Sequence, residues 1–164
     1  MAIDDFPSFA EALYARAGVE QACLDLQDRR GLDVPVLLHA CWLGARARVL
    51  RAAESSAVVW KTMAWRNEVV RPLRRVRRRL KAGVENMPRE LSEPVRKQVK
   101  AAELAAERAL LALLAGVPDG GGGSSGIAGN LAACLAAANL VVNDEDRDSL
   151  AVLEREALAL AGKP

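Results

Sequence analysis

The stretch Trp65–Lys81, WRNEVVRPLRRVRRRLK, decides the fold class. Trp65, Val69, Leu73, Val76 and Leu80 recur every three or four residues, the interval that lines side chains along one face of an α-helix. Around that seam stand Arg66, Arg71, Arg74, Arg75, Arg77, Arg78, Arg79 and Lys81, against the single acid Glu68. The pattern predicts a helix whose apolar seam faces the core and whose back is densely cationic. Such a back must meet carboxylates inside the fold or something anionic outside it. Pro72 falls within the periodic pattern and removes one helical hydrogen bond, which predicts a kink or a break there.

On either side of this stretch the chain again reads as helix, and no run of alternating β-branched residues marks a strand. A first helix is predicted to start after Asp5, with Pro7 in its first turn. A second, about Val19 to Arg29, stops at Gly31. Asp33 is placed to cap a third helix through Leu38, Trp42 and Leu43, and Ser55 or Ser56 to cap the fourth. Gly83 and Pro88 mark a turn before a fifth helix, which opens at Ser92-Glu93-Pro94 and runs to about Ala115. The tract 116–126, GVPDGGGGSSG, reads as a flexible connection. Two alanine-rich helices follow, split near Asn143-Asp144 with Asp144 as the cap. The sum is an all-α, compact bundle of six or seven helices with a mobile Gly-rich loop. We read residues 1–164 as a single domain, because the residues beyond the glycines are too few for a core of their own.

The charge is unevenly spread. Residues 61–100 hold 13 Lys and Arg against four Asp and Glu, although the whole chain has 23 against 21. A chain polarised in this way can neutralise itself on folding, so its balance alone does not imply nucleic acid. The opening MAIDDFPSF has no basic, apolar leader pattern, and no apolar run approaches the roughly 20 residues that span a bilayer. These features predict a cytoplasmic protein without a membrane span, in which Cys23, Cys41 and Cys134 are reduced and packed as small hydrophobes.

Four runs carry a family resemblance: YARAGVEQACLDLQDRRGLDV (14–34), VLLHACWLGAR (36–46), WRNEVVRPLRRVRRRLK (65–81) and VKAAELAAE (99–107), with a weaker match in NLAACLAA (130–137). Together they resemble a family of small bacterial all-helical proteins catalogued as conserved hypotheticals, a domain of unknown function. The resemblance implies a cytoplasmic helical domain and supplies no catalytic residues. The glycine tract looks like an insertion relative to that pattern.

The remaining candidate chemistry is sparse. His39, the only histidine, and Cys41 stand two apart on a helix and so cannot share a face, which makes them poor as a catalytic or a metal-binding pair. The acids of Asp144–Asp148 imitate the start of a calcium loop, but Ser149 replaces the turn glycine and Arg155 the final glutamate. Asp25 and Asp28 fall short of the aspartate-rich motifs of helical prenyl-transfer enzymes. The glycine tract has no following lysine and no preceding strand, so it is not a phosphate loop. No catalytic set, metal site or cofactor is therefore assigned.

The functional expectation is a non-enzymatic interaction protein that binds an acidic protein partner through Arg71, Arg74, Arg75, Arg77, Arg78, Arg79 and Lys81. Arginine predominates, which suits bidentate contact with carboxylate. The competing expectation for the same residues is internal pairing, with Glu103 and Glu107 as partners if the fifth helix folds back. Two alternatives remain open: a nucleic-acid-associated protein using the same face, which lacks interleaved aromatics, and a small-ligand or enzymatic domain with a pocket at His39, Cys41 and Trp42. A self-associating homo-oligomer is a further reading.

Overall fold

A helix that is apolar on every side must be covered on every side, and Val34–Ala45 is such a helix. In the computed structural model, which describes residues 5–118, 120–123 and 126–162, it forms the axis of the protein. The order is α1 (Phe6–Tyr14), α2 (Val19–Arg30), α3 (Val34–Ala45), α4 (Ala52–Trp65), a π-helical turn (Arg66–Val70), α5 (Arg71–Ala82), α6 (Arg89–Ala115), α7 (Gly126–Ala137) and α8 (Asp144–Leu160). Since α4, the π turn and α5 continue without a break, the described residues make seven helical rods and no strand, an all-α fold. α3 is packed by α1, α2, α4, α6, α7 and α8. Nine of its residues, from Val36 to Ala45, are buried.

Several helix ends follow from local chemistry. The Asp5 carboxylate accepts the Ser8 N–H at 2.9 Å, and Gly31 closes α2 in the left-handed conformation at φ 67°. Asp33 is the N-cap of α3, but its carboxylate makes no capping bond. It pairs instead with the buried Arg66 guanidinium. Neither Ser55 nor Ser56 caps α4. The helix begins a turn earlier, where Glu54 folds back to the Arg51 N–H at 2.9 Å, and Ser55 is buried. α8 opens on an Asn143–Asp146 capping box, with Asn143 rather than Asp144 as the cap. Asp146 also lies 3.3 Å from Arg30, so the acids that resembled a calcium loop fasten α8 to α2. Arg29–Glu145 at 2.8 Å supports the same contact, and Arg16–Glu156 at 2.6 Å ties α8 to the segment just before α2.

Pro72 neither breaks nor ends its helix. The turn before it widens, so that the Arg71 N–H donates to the Arg66 carbonyl five residues back. This π turn absorbs the missing proline donor, and the rod continues. The seam read from the sequence is nevertheless only half covered. Val69, Leu73 and Leu80 are partly buried, whereas Trp65 and Val76 are 39% and 46% exposed.

The tightest helix contact joins α3 to α7. A Cβ on Gly44 would come within 2.6 Å of the Ile127 Cα and 2.7 Å of its nitrogen, so only glycine allows this approach. Nearby, the buried Asn130 side chain accepts the Leu50 N–H at 2.8 Å and donates to the carbonyls of Ala40 and Arg48. It thereby joins α7, α3 and the α3–α4 connection. Of the 116–126 tract, residues 119, 124 and 125 lie outside the described residues, as do 1–4 at the start of the chain. Gly120 to Gly123 lie against that same connection. Gly120 and Gly123 donate to the Val49 and Ala47 carbonyls, and the Val49 N–H donates to Gly121. A Cβ on Gly120 would stand 2.9 Å from the Val49 carbonyl oxygen, so this docking also needs the bare backbone.

Two stability predictions follow from these contacts. Gly44→Ala lowers the unfolding free energy by about 2 kcal/mol or more, because the clash is with backbone that cannot yield locally. Gly122→Ala, which meets nothing within 4 Å, changes it by about 0.5 kcal/mol or less. Asn130→Ala removes the acceptor of the buried Leu50 N–H and two further hydrogen bonds, and costs about 2–3 kcal/mol. Urea denaturation of the three variants checks the ranking.

Candidate protein-binding surface

α5 has no buried residue and packs only against the π turn and α6. In α6 the buried positions are Ser92 and then Glu103, Ala106, Leu110 and Leu114, so nearly all of the core contact lies in its C-terminal half. α5 and the start of α6 therefore form a two-helix arm attached to the body. Trp65 anchors its base by donating from Nε1 to the Ala106 carbonyl at 2.9 Å.

The structure divides the seven predicted contact residues in two. Arg74 lies 3.1 Å from Glu103 and 2.6 Å from Glu107, and Arg77 is hydrogen-bonded to both Glu103 oxygens. Glu103 is buried. Burial alone would push its carboxyl up, but the hydrogen bonds from Arg77 and Arg74 outweigh that and hold it below the ordinary glutamate value. Burial opposes the charge on Arg74 as well, and its bonds to Glu107 and Glu103 more than restore it. These two arginines hold the arm together. Arg71 reaches back to Asn67 at 2.8 Å and stands 4.0 Å from Asp33.

Arg75, Arg78, Arg79 and Lys81 are exposed and make no ion pair among the described residues. Arg75, Arg78 and Arg79 are three and four positions apart and so share one side of α5. Arg66, by contrast, is sealed at the base beside Asp33. Burial and the neighbouring Arg71 charge lower it to about 10.

The second candidate group does not converge. His39 and Cys41 are fully buried in the core, with the His39 ring edge-on to Phe6 at 5.0 Å. The Cys41 thiol is pushed well above its ordinary value by burial, which keeps it protonated and inert. Trp42 is half-buried and lines a shallow groove with Leu43, Arg46 and Arg48, and the Arg46 guanidinium lies 5.2 Å from its ring. Neither His39 nor Cys41 reaches that groove. Among the described residues no group of three or more His, Cys, Asp or Glu is placed to hold a metal, and no helix is long and apolar enough to cross a membrane. The cysteines are free thiols.

Two features escaped the sequence reading. One is the Asp33–Arg66 pair, whose partners are remote in sequence. The other is an exposed apolar flank on the arm: Val76, Leu91 and Val95 are 46%, 65% and 50% exposed. The four-three spacing from Leu91 through Val95, Gln98 and Ala102 to Ala105 and Ala109 is the signal that would have found it.

The class that this architecture defines is an all-α bundle with a basic two-helix arm. The chain belongs to the family described as "Protein of unknown function (DUF2390)", whose model matches residues 5–114. That span covers α1 to α6 almost entirely and stops before the glycine tract. Neither the curated proteins nor the solved structures contain a match to it.

The Glu103 cluster sets an acid dependence. A carboxyl held low in the folded state contributes stability above its unfolded value, and loses it as pH falls through the folded one. The wild type is therefore expected to lose stability below about pH 4.5 more steeply than Glu103→Gln, as read by thermal melts from pH 3 to 7. At neutral pH, Glu103→Ala costs about 3 kcal/mol by leaving Arg74 and Arg77 without their shared partner.

Proposed function

We propose that this protein is a non-enzymatic interaction module of the bacterial cytoplasm that docks an acidic protein partner on the cationic side of α5. The observation that carries this reading is the row Arg75, Arg78 and Arg79, with Lys81, exposed and in no ion pair among the described residues. Arg71 flanks the row. Arg74 and Arg77 belong to the arm's internal ion cluster and position the helix rather than meet the partner. A row of guanidinium groups three and four apart matches carboxylates at the same spacing on a partner helix.

An acidic protein is favoured over nucleic acid because apolar Val76 and Val95 accompany the guanidinium groups where aromatic platforms for bases would be needed. The buried thiols suit a reducing compartment, and the bacterial assignment follows the family resemblance. The core placement of His39 and Cys41 lends nothing to a pocket-based activity.

Fluorescence anisotropy with labelled poly-glutamate, random-sequence DNA and RNA at low and moderate salt tests the reading. The expected result is poly-glutamate binding that weakens about tenfold or more in the Arg75→Glu/Arg78→Glu/Arg79→Glu variant, with no nucleic-acid binding at low salt. Nucleic-acid binding that falls steeply with salt would transfer the arginine row to the alternative reading. Poly-glutamate binding that is absent, or indifferent to the charge reversals, would overturn the proposal.

A further inference from the structure

Beside its cationic row the arm carries a second surface. Arg74 bonds with Glu103 and Glu107, and these contacts fix which flanks of α5 and α6 lie on the same side of the hairpin. At about 100° per residue, Val76 lies some 200° round α5 from Arg74. On α6, Leu91, Val95 and Ala102 lie on the flank turned away from Glu107 by the same count. One side of the arm is therefore an ion-paired face, and the opposite side is apolar. Leu91, Val95, Ala102, Ala105 and Ala109 are all exposed there, although their four-three spacing is that of a seam made to meet another helix. α6 thus carries two seams about a quarter-turn apart: an inward one through Ala106, Leu110 and Leu114, and this empty one.

We infer that this flank is the seat of an amphipathic, acidic helix, which lays its apolar stripe along Leu91, Val95 and Ala102 and its carboxylates on Arg75 and Arg79. The inference rests on the docking reading and narrows its partner to a helix with both an apolar and an acidic side. Charge decides the occupant. Arg79 and Arg75 lie about 60° and 100° round α5 from Val76, so the flank is bordered by cations. A second copy of the chain would have to answer them with carboxylates. Those of its arm at Glu93, Glu103 and Glu107 are already held by Arg96, Arg77 and Arg74, and the exposed Glu68, Glu85 and Glu90 stand on three separate segments rather than in a row on one helix. The alanines let a helix approach closely, and Leu91 and Val95 supply the apolar area at the open end.

The test uses the full chain and two synthetic helices of about 18 residues. In the first, leucines follow the four-three spacing and glutamates flank them. The second has the same composition, scrambled so that the leucines share no face. The first is expected to bind about tenfold tighter than the second. Leu91→Ser/Val95→Ser removes that advantage, and matching thermal melts show that the fold is intact. Arg75→Glu/Arg79→Glu weakens both peptides. Equal binding of the two peptides, or indifference to the serine variant, overturns the apolar seat. If the peptides still lose affinity on charge reversal in that event, the docking reading stands alone, and if they do not, it falls too. A solution mass of twice 17.6 kDa that reverts in the serine variant would assign the flank to a second copy and overturn the inference.

Discussion

The body of this protein is organised by the need to cover α3 on all sides. A segment as uniformly apolar as Val36–Leu43 has no face that tolerates water, so six other helices meet it. Close approach along one side is possible only because Gly44 has no side chain. Asn130 then accepts the buried Leu50 N–H and donates to the carbonyls of Ala40 and Arg48, tying α7 to this crowded side. The arm of α5 and α6 lies outside this economy of burial. It is joined through the C-terminal half of α6 and the π turn, and its two helices share the Glu103 ion cluster.

The chain's polarised charge resolves into two unequal uses. Acids at Glu145, Asp146 and Glu156 fasten the last helix against arginines of the first third of the chain. Acids at Glu103 and Glu107 neutralise part of the basic helix. What remains positive is concentrated on the outer side of α5, which is why a net charge near zero coexists with a local cationic surface.

Much of the architecture was legible because it rests on local chemistry. The caps at Asp5 and Gly31 and the turn at Gly83 depend on residues a few positions away. The pairing of Arg74 with Glu107 was foreseeable once an antiparallel return was assumed. Partner choice at a distance was not legible. Nothing near Asp33 signals that its carboxylate will leave its own helix end for Arg66. Nor does periodicity distinguish a seam that enters a core from one that meets a single neighbour. For that reason Val76 read as interior and lies at the surface. Whether Arg75 differs from Arg74 depends on a rotation of 100° about a helix axis, and composition has no access to it.

That rotation is governed by the widened turn at Arg66–Val70. A π turn admits one residue more than the regular helix would hold between the same two points. It therefore acts as a phase shift between α4 and α5: the length of chain it accommodates sets the compass bearing of every guanidinium beyond Pro72. Wound as regular helix, the same residues would turn the outward row by about 100° without altering a single arginine. The direction in which this protein presents its charge is thus written in five residues that are not among those presenting it.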